Sequence, residues 1–306
     1  MDLFISIFVG IIVAATPLIF AAIGEVVAEK SGVLNLGVEG MMIVGALAGF
    51  GVTLETGSFF LGVLASIIGG ALMALLFALM TQTLMANQVA TGLALTLFGL
   101  GLSALLGQRY SGESVPDFPK VDIPVLSELP LIGRMLFQFD LLVYLSIALV
   151  IATTWFFAKT RTGLAVRAIG ENHDAAHSIG YAVTTYRYMC LMFGGACAGV
   201  GGAYLSLVQT PLWVENMTAG RGWIALALVV FGAWQPMRAM IGAYLFGGIT
   251  ILQLHSQGFG IAIDSQILSM LPYLATIVVL VAISRNKNQG KLKAPANLGQ
   301  PFYAAS

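Results

Sequence analysis

Apolar runs separated by short polar intervals occupy nearly the whole chain. Runs close to the roughly 17–25 residues that cross a hydrocarbon core as a helix lie at 3–23, 39–55, 58–80, 89–107, 140–158, 188–209, 222–236, 241–257 and 268–284. The pattern predicts an all-α integral membrane protein, a polytopic helical bundle of about nine spans. One transmembrane domain then covers 1–284, and a basic tail covers 285–306. Small residues recur inside the runs, as in Gly45-x-x-x-Gly49 and Gly195-x-x-x-Gly199, and predict seams where helix backbones approach closely.

Composition supports the same class. Of 306 residues 58% are hydrophobic and 9% charged, with a mean hydropathy of +0.91, whereas about a quarter of an ordinary soluble domain is charged. Net charge is zero, which carries no signal for a nucleic-acid partner. The opening Met-Asp-Leu-Phe lacks the positive n-region of a signal peptide, so the first run is expected to stay as a span. Cys190 and Cys197, seven apart in one apolar run, read as packing residues rather than a disulfide framework.

Two polar intervals are long. The first, 108–139, carries Pro116, Pro119, Pro124 and Pro130, which oppose a continuous helix. The second runs from Lys159 to Arg187 and holds four of the 14 basic residues against two acids, Glu171 and Asp174. By the positive-inside rule it is cytoplasmic. That choice also puts Lys30, Arg238, Arg285, Lys287, Lys291 and Lys293 inside, and Arg109, Lys120, Arg134 and Arg221 outside. The N-terminus is then outside, 108–139 is an extracytoplasmic loop, and 285–306 is a mobile cytoplasmic tail. Within 159–187, Asn172 can cap a helix of about two turns through Asp174, Ala175 and Ala176, and Gly180 can end it.

Ionisable groups also crowd Gly24–Gly40, where Glu25, Glu29, Lys30, Asn35 and Glu39 lie between two apolar runs. Such groups mark either a functional element inside the bilayer or a solvated elbow. Spans 1–4 and 6–9 run in opposite directions around span 5, which admits a four-plus-four inverted repeat. It pairs Asn35-Leu-Gly-Val-Glu-Gly40 with Met217-Thr-Ala-Gly-Arg221-Gly-Trp223, two Gly-interrupted segments of the kind that border a midplane pathway.

Catalytic chemistry finds little support. His173-x-x-x-His177 has the spacing of two zinc ligands, but the only other histidine, His255, falls at the opposite side of the bundle. No Gly-x-Ser-x-Gly elbow is present. Gly99-x-Gly101 sits inside an apolar run with no strand before it, and no Gly-x-x-x-x-Gly-Lys-Ser/Thr occurs, so ATP has no site on this chain. A path with a few hydrogen-bonding groups and a moving part fits the composition better than an enzyme or an ion-coupled carrier, which needs buried acids beyond Glu39.

Three segments carry a family resemblance. Gly163-Leu-Ala-Val-Arg167-Ala-Ile-Gly170-Glu171-Asn172-x-x-Ala175-Ala176-x-x-x-Gly180 resembles the cytoplasmic loop of ABC importer permeases of the simple-sugar and nucleoside branch. Gly24-Glu25-x-x-x-Glu29-Lys-Ser31-Gly32-Val-Leu-Asn35-Leu-Gly37-x-Glu39-Gly40 resembles a hallmark of the nucleoside type. Asn216-Met-Thr-Ala-Gly220-Arg221-Gly222-Trp223, with Phe231-Gly-Ala-Trp-Gln-Pro236, is similar to its later signature. The resemblance implies a nucleoside permease working by alternating access, with a ribose-like sugar as the alternative cargo, in a bacterial cytoplasmic membrane. It implies a second, homologous permease as heterodimer partner, a cytoplasmic ATPase that binds ATP and Mg, and an extracytoplasmic substrate-binding lipoprotein, with no cofactor on this chain. Arg167, Gly170, Glu171, Asn172, Ala175, Ala176 and Gly180 would couple to the ATPase. Asn35, Glu39, Asn87, Gln88 and Thr91 are candidates for the substrate pathway.

Overall fold

The computed structural model describes residues 2–121, 137–258 and 294–303, and between them Met270, Leu274, Ile277, Val278 and Val281. Arg134, Pro124, Pro130, most of the run at 268–284 and the tail's Arg285, Lys287, Lys291 and Lys293 lie outside the described residues.

Every long apolar run that is described forms a helix. In chain order they are α1 (Asp2–Lys30), α2 (Val38–Thr56), α3 (Phe59–Ala78), α4 (Gln88–Gly107), α5 (Leu141–Lys159), α6 (Arg161–Glu171), α7 (His173–Ser178), α8 (Val183–Tyr204), α9 (Arg221–Phe231) and α10 (Pro236–Gly258). Short π-helical turns extend α3 through Leu79–Thr83 and α8 through Leu205–Gln209. Several starts have local causes. The side chains of Ser58, Asn87, Asp140, Thr160 and Asn172 each accept a backbone N–H of the first turn that follows, meeting donors that no helix can satisfy internally.

Seven of these helices are long and apolar enough to cross a membrane. The expected run at 222–236 is instead an 11-residue helix, α9, about 16 Å long against a hydrocarbon core of about 30 Å. The count of about nine spans is therefore not confirmed among the described residues. The physical reason for the short α9 is Gly220 at φ +83°, preceded by Asn216 and Ala219 at φ +56° and +45°. These left-handed residues interrupt the helix on one side, and Ala233 and Trp234 at +49° and +56° interrupt it on the other.

The centre of the bundle is α8. Its glycine face meets α1, α2 and α3 so closely that Gly45 of α2 faces the backbone of Gly199, and Gly70 of α3 faces that of Gly195. A Cβ at any of these positions would overlap backbone atoms. The two small-residue motifs read from the sequence thus meet each other. Helix α10 runs antiparallel to α1, with Gly247 beside Ala15 and Ile251 beside Gly10.

The end of the bundle where Lys30, Lys159, Arg167 and Arg238 gather is called here the basic end. At the other end the chain after α4 pairs with the chain after α8, Ser114 bridging Leu212 and Val115 N–H donating to Pro211 at 3.1 Å. Arg109 pairs there with Glu55, and Tyr204 donates to Asp140 at 3.0 Å.

The close approach sets the sign of a substitution. Gly to Ala in an exposed helix normally stabilises by up to about 1 kcal/mol, which is the outcome expected at Gly101, where nothing lies within 4 Å. At Gly199 the same change is expected to destabilise by roughly 1–3 kcal/mol. Melting of the two variants in detergent should shift in opposite directions.

Candidate functional site

Between α1 and α2 the chain turns back into the bundle. Leu34 N–H donates to Gln88 Oε1 at 2.8 Å, and Thr96 Oγ1 donates to Leu36 O at 3.1 Å. Gln88 and Thr96 are two turns apart on α4, so residues 34–36 run along that helix from the basic end into the bundle before α2 begins. Asn35 makes the climb possible. Its Oδ1 accepts Gly37 N–H at 3.0 Å, and its Nδ2 donates to Glu25 Oε2 at 3.1 Å.

The start of α2 then faces the start of α9. Glu39 Oε1 accepts Thr218 Oγ1 at 2.5 Å and Gly220 N–H at 2.8 Å, while Oε2 accepts Gly222 N–H at 2.6 Å. Two of the donors are the otherwise unpaired amides of a helix N-terminus, where the peptide dipoles favour an anion, and the third is a hydroxyl just before it. At its other end α9 is held by Trp234, whose indole N–H donates to Glu29. The two Gly-interrupted segments paired in the sequence are therefore in contact, and Glu39, 2% exposed, has its hydrogen-bonding capacity committed to them.

The remaining pathway candidates scatter. Gln88 is buried under the coil, whereas Asn87 is exposed and caps α4, with Thr91 one turn further on. A separate cavity of about 170 Å³ lies between α1, α9, α10 and the π turn of α8, and is lined by Gln209, Arg221, Thr250 and Gln253 among apolar neighbours. Arg221, assigned outside by its position in the sequence, lines this cavity, half-buried, with a guanidinium N–H donating to Met217 O at 2.8 Å. Trp223 is half-exposed. Gln209, whose buried Oε1 has no partner, was not a sequence candidate. Its signal was a polar residue closing a 22-residue apolar run.

At the basic end, the 159–187 interval is built as two helices rather than one. Helix α6 is amphipathic, burying Ala165, Val166, Ile169 and Gly170 and exposing Arg167 and Glu171. Helix α7 has six residues, shorter than the expected two turns. Asn172 Oδ1 accepts Ala175 N–H at 2.9 Å, and Gly180 at φ +96° ends the turn. Ala175 is exposed and Ala176 buried, so only one of the paired alanines faces outward. His173 and His177 both pack edge-on with one ring, Phe302, at centroid distances of 5.3 and 5.2 Å.

Arg187, expected in the polar interval, lies in the first turns of α8 and is fully buried. Its Nε donates to Ser31 O at 3.2 Å, Nη1 to Gln82 Oε1 at 3.3 Å and to Gln300 O at 3.2 Å, and Nη2 lies 3.2 Å from His173 Nδ1. Among the described residues no group of three or more His, Cys, Asp or Glu is gathered as a metal site.

Comparison with known proteins gives this geometry its context. Residues 7–282 match the family described as branched-chain amino acid transport system / permease component. The chain belongs to this permease family. It is 41% identical to the "Putative glucose ABC transporter permease protein TsgC13" of Haloferax volcanii, over 94% of each chain. It is 35% identical to the nucleoside ABC transporter permease protein NupC of Lactococcus lactis, over 89% of this permease and 90% of the relative. It is 33% identical to the guanosine ABC transporter permease protein NupQ of Bacillus subtilis, over 95% and 94%. Each organism holds a second, more distant relative, TsgB13, NupB and NupP, at 26, 24 and 22% identity over 77, 79 and 88% of this permease. No solved structure gives a significant match.

For the permease, Glu39→Ala would leave three donors without an acceptor, two of them buried, at about 1–3 kcal/mol for each buried one. A thermal melt should therefore show Glu39→Ala well below Glu39→Gln, whose amide oxygen still accepts.

His173 supplies a pH dependence. Burial first, then the Arg187 guanidinium, push its pKa below the ordinary histidine value, while Asp174 opposes them. The folded state thus binds the proton less readily than the unfolded state. The resulting stability is present above the unfolded pKa of about 6.5 and is lost as pH falls below it. Melting temperature should drop between pH 7.5 and 5.5, and His173→Gln should flatten that drop.

Proposed function

We propose that this permease is one of two membrane-spanning subunits of an ATP-driven importer of nucleosides. The reading is carried by its match, along nearly the whole chain, to relatives named as nucleoside and guanosine permeases. ATP and Mg are bound by a separate cytoplasmic ATPase chain, and the cargo is delivered outside by a substrate-binding lipoprotein. The second permease subunit is a homologue rather than another copy of this chain. Three organisms hold permeases in pairs, and in each this chain is nearer one member than the other.

The basic end is the cytoplasmic end. Lys159, Arg161, Arg167 and Arg238 are exposed there, the distribution the positive-inside rule requires. Helix α7 is then the ATPase-docking element, with Ala175, Glu171 and Arg167 presented outward and Gly170, Ala176 and Asn172 shaping its seat. ATP-driven closure of the ATPase favours one access state of the bundle and hydrolysis releases it, a population shift set by differential binding.

A sugar is the second reading for the cargo, favoured by the 41% identity to a protein named as a glucose permease. A nucleoside adds a stackable base to a hydroxylated ring, and the two cargos can be separated directly. Cells carrying the complete transporter should take up labelled guanosine or uridine, and unlabelled glucose in hundredfold excess should not compete. Competition by glucose, with no nucleoside uptake, would replace the first reading by the second. Ala175→Glu should abolish that uptake and release the ATPase on purification, while leaving membrane insertion unchanged.

A further inference from the structure

The segment 294–303 is not a loose tail. Asn297 N–H donates to Gly170 O at the end of α6, at 2.9 Å, and Gly299 N–H donates to Gly32 O in the α1–α2 coil, at 3.0 Å. Gln300 O accepts the Arg187 guanidinium. Phe302, 5% exposed, then enters between His173 and His177 and completes a small apolar cluster with Ile169, Ala176 and Val183. Gly32 and Gly170 lie close under it, so that a Cβ at Gly170 would meet Pro295 at 3.1 Å and one at Gly32 would meet Asn297 O at 3.3 Å.

Helix α7 cannot hold its own posture. Six residues are far below the length at which a helix persists alone, and α7 carries no large aliphatic side chain. Its inner face consists of His173 and Ala176, the two buried residues of the helix. The bulk around this face comes from Ile169, Val183 and Phe302, with Tyr181 and Tyr186 packed against them, and of these only Phe302 lies outside the interval that contains α7. The segment also reaches the bundle at Gly32 of the α1–α2 coil and at Arg187 of α8, so it ties α7 to α1 and α8 rather than merely filling a gap.

We propose that residues 294–303 are a strap that positions α7, making the C-terminal segment part of the apparatus through which this chain is driven. The inference rests on the reading of α7 as the ATPase-docking element. Phe302 is its central positioning residue, and it touches no cargo.

The test uses the complete transporter, co-expressed with its ATPase, and compares Phe302→Ala, Phe302→Leu, removal of 294–306, and Ala175→Glu. Three quantities are read: chain inserted in the membrane, ATPase retained on purification, and nucleoside uptake. Phe302→Ala and the truncation are expected to insert normally and to lose about tenfold or more of uptake, a loss of about 1.4 kcal/mol or more in coupling. Phe302→Leu, which keeps an apolar side chain there, should restore most of it. Uptake within twofold of the unmodified chain for both Phe302→Ala and the truncation would overturn the strap, provided Ala175→Glu is inactive. If Ala175→Glu also retains uptake and ATPase, the docking role of α7 fails and the strap falls with it. If Phe302→Ala no longer inserts, the segment serves the folding of the bundle and the proposal is likewise overturned.

Discussion

A carboxylate placed within hydrocarbon thickness has to be met by donors, and Glu39 is met by the amino-terminal end of α9. Much of the architecture follows from that requirement. For the contact to exist, α2 and α9 must both begin inside the bundle, so the coil 31–37 and the segment before Arg221 are drawn inward. Neither could stay there with unpaired backbone groups. Asn35, Gln88 and Thr96 answer the first coil, and Glu39 itself answers the second. The left-handed residues on either side of α9, each disfavoured by roughly 1 kcal/mol or more, persist because Glu39 holds one end of the helix and Glu29 holds Trp234 at the other.

The acids of the first motif therefore act as fasteners, Glu25 within the motif and Glu29 and Glu39 between the two halves of the bundle. Glu25 holds Asn35, Glu29 holds Trp234, and Glu39 holds Thr218, Gly220 and Gly222. With the glycine seam that sets α8 against α1, α2 and α3, they bind five helices into one block. Glu39, the one acid among the pathway candidates, is thus the residue with the most structural work assigned to it. The cavity between α1, α9 and α10 instead gathers amides and an arginine, Gln209, Gln253 and Arg221, with Thr250, among apolar neighbours.

Helix class and most helix positions were legible because apolar run length is a direct physical requirement of the bilayer. The Asn172 cap and Gly180 stop were legible because each follows from one residue's backbone chemistry. The meeting of the two Gly-interrupted segments was legible only as a pairing, since sequence carries no depth coordinate. For the same reason Arg221 was assigned to the outside and α9 to a full span: composition along 222–236 is as apolar as a true span, and only the φ values around it reveal the break. Arg187 was misread because it adjoins a polar interval. An arginine one residue before an apolar run is chemically indistinguishable, in sequence, from one that snorkels to the surface. The docking of 294–303 was illegible because its contacts are mostly backbone to backbone, and its one aromatic anchor sits among Gly, Pro and Asn residues that signal a loop.

Arg187 explains how a helix as short as α7 can be tied to so large a body. Its guanidinium reaches four separate segments, the α1–α2 coil at Ser31, the π turn of α3 at Gln82, α7 at His173, and the C-terminal segment at Gln300. A planar fork with five donors can serve four acceptors in fixed directions, which the single ammonium of lysine cannot. Arg187 also belongs to α8, the helix packed by glycine contact against three others. A displacement of α7 is consequently resisted, or transmitted, by the whole block rather than by one flexible linker. The same buried charge that costs stability to desolvate is what makes the basic end a single mechanical unit.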